Sequence, residues 1–192
     1  MVRVALTGTP GVGKTTLAAI ARRDGWRVID VKAWAKESGA VVAYDRTDEA
    51  EVVDLEVLRV LVEPDEGEKV LYEGHLSHFL GLDVAWVVRC DPQELRSRLA
   101  LRGYPEGKVR ENLECEALDL ILQEAQEHTP RVIQRDGTRR TPEELYTAFA
   151  EATGRAAKEE DLEPVDWSDQ LPFDAPADPV VERKTRPRRR TR

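Results

Sequence analysis

Gly8-Thr9-Pro10-Gly11-Val12-Gly13-Lys14-Thr15 constrains this chain more than any other stretch in it. The spacing G-x-x-x-x-G-K-[ST] is met without a mismatch. An apolar, strand-like run, Val2–Leu6, leads directly into the glycines, and a helix-like run, Lys14–Arg23, follows them. Glycines at a strand-to-helix turn let successive backbone N–H groups point inward, and the helix N-terminus adds partial positive charge. A lysine placed immediately after such a turn calls for an anion. The pattern therefore predicts a nucleoside triphosphate site, with Lys14 on the β- and γ-phosphates and the Thr15 hydroxyl on Mg2+. Thr16 is placed for a further phosphate contact.

The rest of the chain supplies the scaffold that such a loop needs. Strand-like runs at Trp26–Val31, Lys69–Tyr72, Val84–Val88 and Arg131–Gln134 alternate with helical patterns. Those patterns cover Val31–Glu37, Glu49–Val62, Gln93–Arg102, Glu111–Glu127 and Pro142–Ala152. Strands separated by helices pair in parallel through right-handed crossovers, which predicts a three-layer α/β P-loop NTPase fold around a central parallel β-sheet. With 192 residues, 41% of them hydrophobic, the chain suits one domain, expected over residues 1–157. No apolar run approaches the roughly 18 residues of a membrane span. Met1–Leu6 lacks the shape of a signal peptide, and Cys90 and Cys115 are too few for a disulfide framework or a four-cysteine zinc site. A reducing, cytoplasmic setting is expected.

Charge is unevenly spread. The last ten residues, Arg183–Arg192, carry seven Lys/Arg and no acid; removing that +7 from the total of −8 leaves −15 for residues 1–182. Residues 158–192 hold five of the eleven prolines and nine acids between Glu159 and Glu182. A mobile acidic, Pro-rich and then Arg-rich tail is expected there, with Trp167, Leu171 and Phe173 as large apolar anchors. The basic end could contact nucleic acid phosphates.

A phosphate loop alone does not separate GTPases, motor ATPases and kinases. The chain has one asparagine, Asn112, followed by leucine, so it lacks the N-K-x-D element of guanine recognition. Its small size and N-terminal phosphate loop favour a small nucleotide or metabolite kinase. For the metal, Glu73 ends the run Lys69–Tyr72 at the place where a carboxylate can hold Mg2+, in part through water, and His75 stands near the γ-phosphate. Phosphoryl transfer depends on positive charge around the moving group and on exclusion of water. Arg98 and Arg102 share a helix face, Gly103 permits a sharp turn, and Lys108 and Arg110 follow. A short lid over about 102–111 is expected. His78 and His128 read as structural or surface residues.

Leu6–Leu17, Arg102-Gly103-Tyr104 and Glu111-Asn112-Leu113-Glu114-Cys115-Glu116 together resemble the sixth-isoenzyme adenylate kinases. These are small nuclear and archaeal proteins also called coilin-interacting nuclear ATPases. The resemblance spans residues 2–153 and implies a nucleoside monophosphate kinase type of fold. It further implies ATP:AMP phosphotransfer, ATP hydrolysis, and a part in small ribosomal subunit maturation with a ribosomal protein and rRNA as partners. Gly11, Gly13, Lys14, Thr15 and Thr16 correspond to ATP-phosphate ligands, and Arg102 to a lid arginine at ATP. Glu73-Gly74-His75 corresponds to an Asp-x-His element, with glutamate in place of aspartate. The acceptor-nucleotide segment falls at about 30–53, where Lys32-Ala33 and Lys36 stand in place of a Gly-Asp pair and an arginine. Lysine lacks the bidentate fork of arginine. Two readings follow: a kinase acting on AMP, with Lys14, Arg102 and His75 in catalysis, or a ribosome-assembly ATPase switch whose main activity is hydrolysis.

Overall fold

The computed structural model describes residues 2–45, 50–62, 67–154, 156, 158 and 161–171. In chain order the elements are β1 (Arg3–Thr7), α1 (Lys14–Arg23), β2 (Arg27–Asp30), α2 (Val31–Glu37), β3 (Val41–Asp45), β4 (Ala50–Val53), α3 (Leu55–Leu61), β5 (Val70–Glu73), β6 (Val84–Arg89), α4 (Pro92–Leu101), α5 (Glu106–Ala117), α6 (Leu120–His128), β7 (Val132–Asp136) and α7 (Pro142–Thr153). Short 3-10 turns lie between β5 and β6, at Ser77–Leu80, and after α7, at Ser168–Gln170.

Five strands form one parallel sheet in the order β2-β5-β1-β6-β7. Alternation along the buried strands explains why they read as continuous apolar runs: each face needs its own core. Val4, Leu6, Leu71, Trp86 and Val88 pack toward α1, α4, α5 and α7, against Leu17, Leu95, Leu113 and Phe149. Ala5, Val70, Tyr72, Ala85 and Val87 face the other way, toward Val31, Ala35, Leu58 and Ala125 of α2, α3 and α6. This is the expected three-layer P-loop NTPase architecture. The order places β1 between β5 and β6, so the crevice outside the carboxyl ends of these strands lies at the phosphate loop.

Two expected helices are arranged differently. Glu49–Val62 was read as one helical run; Ala50–Val53 is instead a strand, paired antiparallel with β3, and the helix begins at Leu55. Asp54 caps it by accepting from the N–H groups of Glu56 and Val57, at 3.0 and 3.2 Å. Ala-Glu-Val-Val is compatible with either period over its four residues, and pairing with Val41–Asp45 decides for the strand. Glu111–Glu127 was read as a single helix. It belongs to α5 and α6, which are separated at Leu118-Asp119, where Asp119 takes φ +58. Within the stretch 102–111, α5 already starts at Glu106. Gly103, at φ +73, ends α4 and leaves a brief turn before it.

Beyond α7, residues 161–171 lie along β7 rather than away from the domain. Leu162 bridges Gln134 in parallel, Asp161 pairs with Arg131 at 2.9 Å, and Glu163 pairs with Arg140 at 2.6 Å. Trp167 and Leu171 pack on the core. The separation that would leave residues 158–192 free therefore does not extend to this stretch. Phe173 and the basic residues 183–192 lie outside the described residues.

Candidate functional site

Gly8–Gly13 connects β1 to α1 with backbone shapes that side chains resist. Gly8 has φ +134, and a Cβ there would sit 2.4 Å from the Val88 carbonyl oxygen. Gly11 has φ +97, and its Cβ would meet Leu95 Cδ1 at 2.9 Å and Leu99 Cδ2 at 3.0 Å. The first glycine lets the loop cross the end of β6, and the second lets α4 close against it.

Lys14 opens α1 and is buried. Its Nζ donates to the carbonyl oxygens of Gly8, at 2.6 Å, and Thr9, at 3.0 Å, so the ammonium lies within the curve of the loop. Burial pulls its pKa down to about 8; the carboxylates of Glu73 and Glu116 work against that shift, and Arg102 adds to it. Thr15 and Thr16 present exposed side chains at the first turn of the helix. The Thr15 hydroxyl donates to Glu73 Oε1 at 3.4 Å. Burial raises the Glu73 carboxyl above its ordinary range, opposed by Lys14 and by the Thr15 hydrogen bond. Parallel register explains the meeting: Leu6, Asp30 and Glu73 are level across β1, β2 and β5.

His75 follows Glu73 by two residues and lines a cleft of about 370 Å3 with Val31, Lys32, Lys36, Tyr44 and Glu51. Desolvation, then the charges of Lys14 and Lys32, push its pKa below the usual value. The cleft thus opens beside Glu73 and is walled by α2, β3 and β4, the expected acceptor segment. Lys36 forms an ion pair with Glu51 at 2.8 Å. His78 is buried instead, between the Thr7 hydroxyl (2.8 Å from Nδ1) and Glu124 (3.2 Å from Nε2). Burial, with His128 and His75, lowers it to about 4, so the neutral ring accepts from Thr7 and donates to Glu124.

The cations expected to gather over the loop divide. Arg102 is exposed at the end of α4, and its charge is felt at Lys14. Arg98 pairs with Glu94 at 2.9 Å and points Nη1 at the Val12 carbonyl, 3.5 Å away. Lys108 and Arg110 pair with Glu111 and Glu114 along α5, at 2.9 and 3.5 Å. Both of these pairs lie within α5.

Sequence reasoning overlooked a buried pair that braces the loop. Glu116 accepts from Arg89 Nε at 2.8 Å and from the Cys90 N–H at 2.9 Å, and its other oxygen accepts from the Thr9 hydroxyl. Arg89 also donates to Gln134, Asp119 and the Glu116 carbonyl. Burial works against the Arg89 charge, yet Glu116 and Asp119 outweigh it and raise its pKa. An arginine ending an apolar strand and the final glutamate of Asn112–Glu116 were the available signals. Nothing in the spacing of residues 89 and 116 joins them.

Among the described residues, no cluster of three or more His, Cys, Asp or Glu could hold a metal by itself. No helix among them is long and apolar enough to cross a membrane. Residues 4–119 match the family model described as AAA domain. A protein of Archaeoglobus fulgidus is 42% identical over 172 residues, covering 88% of this chain and 93% of that one. One of Thermococcus gammatolerans is 40% identical over 168 residues, covering 86% and 93%. One of Methanothermobacter thermautotrophicus reaches 45% over 144 residues, covering 74% and 84%. Each bears the name "Putative adenylate kinase". A solved shikimate kinase from Bacteroides thetaiotaomicron aligns at 20% identity with a TM-score of 0.46, over 80% of this chain and 97% of that one. Identity at this level across most of both chains, on an AAA-domain match that begins in β1 and ends just past α5, means that this chain belongs to the family of these archaeal proteins.

Proposed function

We propose that the protein is a nucleoside monophosphate kinase that passes the γ-phosphate of Mg-ATP to AMP. The observation that carries this reading is the meeting of two spaces at one strand end. Thr15, at the end of the phosphate loop, reaches Glu73, and the cleft of Lys32, Lys36, Tyr44 and His75 is lined by the residues that directly follow Glu73, from Gly74 to Leu76. A hydrolase needs only the first of these; a transferase needs an acceptor held beside it. The names of the relatives support the same chemistry.

In this reading the amides of Gly11 and Gly13 and the Lys14 ammonium bind the β- and γ-phosphates, and Thr16 adds a hydroxyl. Lys14 exchanges the carbonyls of Gly8 and Thr9 for phosphate oxygens of the same hydrogen-bonding kind. The Thr15 hydroxyl and the Glu73 carboxylate are hard oxygen donors placed side by side. They fit Mg2+, which is usually held by one or two protein oxygens together with substrate phosphates and water. When bound there, Mg2+ supplies charge neutralisation at the β- and γ-oxygens. Arg102 swings from the end of α4 to stabilise the charge on the moving phosphoryl group, with Gly103 as its hinge. His75, neutral at pH 7, orients the acceptor or a water. Lys32 and Lys36 hold the acceptor phosphate. The Arg102-Gly103-Tyr104 turn and the Asn112–Glu116 run support assignment to the sixth-isoenzyme branch. On that branch, hydrolysis and a role in small-subunit maturation accompany the transfer.

Purified protein incubated with Mg-ATP, with and without AMP, tests the reading when ATP, ADP, AMP and phosphate are resolved over time. Two ADP formed per AMP consumed, with little free phosphate, is the expected result, and Lys14→Ala abolishes it. Phosphate released at the same rate while AMP stays intact would overturn transfer in favour of an ATPase switch.

A further inference from the structure

We propose that residues 161–171 are a positioning element of the nucleotide site, a strap that holds the phosphate loop in its binding shape from the β7 edge of the sheet. The proposal rests on the assignment of residues 8–15 to ATP phosphates. The strap covers the open edge of β7 through backbone pairing, with the Glu163 N–H donating to the Gln134 carbonyl at 3.3 Å. Its acids are anchored: Asp161 to Arg131, and Glu163 to both guanidinium nitrogens of Arg140 and to the Asp136 N–H.

Two contacts then reach inward, to neighbouring residues at the end of β6. The Trp167 ring lies against the Arg89 guanidinium, 5.2 Å from centroid to Cζ. The Gln170 amide donates to Asp91 Oδ2 at 3.3 Å. Arg89 is the residue that orients Glu116, and Glu116 accepts from Thr9 inside the phosphate loop. Asp91 caps α4 through the Gln93 N–H at 2.8 Å, and α4 places Leu95 and Leu99 against Gly11 and Arg98 against the Val12 carbonyl. The strap therefore bears on both halves of the loop, at Thr9 through Arg89 and Glu116, and at Gly11-Val12 through the start of α4. A guanidinium with its Coulombic partners on one side and an aromatic face on the other has few other orientations open to it.

Full-length Trp167→Ala, Trp167→Phe and Gln170→Ala test the proposal against wild type. The readouts are the Kd of a non-hydrolysable Mg-ATP analogue, the Kd of AMP alone, the thermal midpoint, and hydrogen exchange at the amides of Thr9, Gly11, Val12 and Gly13. Trp167→Ala should weaken the ATP analogue about threefold to tenfold, the range that losing one partly desolvated cation–π contact implies. It should also speed exchange at the loop amides and leave AMP binding unchanged. Trp167→Phe keeps a ring face and should retain most of the affinity. Should Trp167→Ala fail to fold, Gln170→Ala carries the same expectation with a smaller shift, about twofold. Unchanged analogue affinity and unchanged loop exchange in the folded variants would overturn the proposal. Equal weakening of the ATP analogue and AMP would overturn it too, since that marks general loosening. Failure of wild type to bind the analogue would remove the ATP reading instead, and exchange at the same loop amides would still decide whether the strap braces the loop.

Discussion

Lys14 shows how one residue's chemistry depends on the curve of chain around it. The ammonium is taken out of water and given two carbonyl oxygens, which partly solvate it but do not neutralise it. Its pKa therefore falls to about 8, and its charge in the free protein is incomplete at mildly alkaline pH. Triphosphate binding restores the charge, so binding takes up a proton wherever the free lysine has lost one. The sign follows: affinity for a Mg-ATP analogue should be greatest near pH 7, begin to fall as the pH approaches 8 and fall above it by up to about tenfold per pH unit. Titration calorimetry across pH 7–9.5 checks this, with proton uptake read from buffers of different ionisation enthalpy. Lys14→Met should bind weakly with no such break. Glu116 illustrates the converse case, a buried carboxylate with a donor on each oxygen. Its role could not be found from its own neighbours in sequence, because Arg89 and Thr9 lie 27 and 107 residues away.

Among the elements, the insertion of β3, β4 and α3 departs most from the periodic pattern. Asp54, which has no evident part in chemistry, turns out to begin α3. Asp54→Ala should cost about 1 kcal/mol, the ordinary price of a lost N-cap, lowering the thermal midpoint by a few degrees. Affinity for the ATP analogue should stay within about twofold of wild type, because Leu58 of α3 packs on the opposite face of the sheet from Val12 of the phosphate loop. Thermal unfolding alongside calorimetry separates the two effects. The break between α5 and α6 is also an elemental matter. A continuous 17-residue helix from Glu111 would satisfy propensity, but Asp119 accepts from Arg89 at 2.5 Å, and the turn serves that buried pair. Local pattern was outweighed by one tertiary ion pair.

For the whole molecule, charge separates the body from the end of the chain. Residues 1–182 carry −15, whereas Arg183–Arg192 carry +7. A chain built this way should bind RNA, if it does so, through the basic end and by counterion release, with affinity falling steeply with salt. Deleting 183–192 should therefore weaken RNA binding at low salt about tenfold or more and flatten its salt dependence, while ATP affinity remains unchanged. Filter binding at 50 and 200 mM salt measures both; an identical affinity and slope in the deletion protein would show that the end takes no part.

Gly8–Thr15, the apolar strands and the alternation with helices already determined the layered parallel architecture and the place of the triphosphate site, because these depend on short-range spacing and on burial of both sheet faces. The pairing of Glu73 with Thr15 was legible for the same reason, since Glu73 ends β5 and Thr15 lies in the first turn of α1, just past the loop that follows the neighbouring β1. Other features were decided only by the tertiary structure. These are the antiparallel hairpin that walls the cleft, the Arg89–Glu116–Thr9 brace, and the seating of residues 161–171 on β7. The brace and the seating depend on partners far apart along the chain, where no local period records the contact; the hairpin is local, but its strands are too short for their pattern to tell strand from helix.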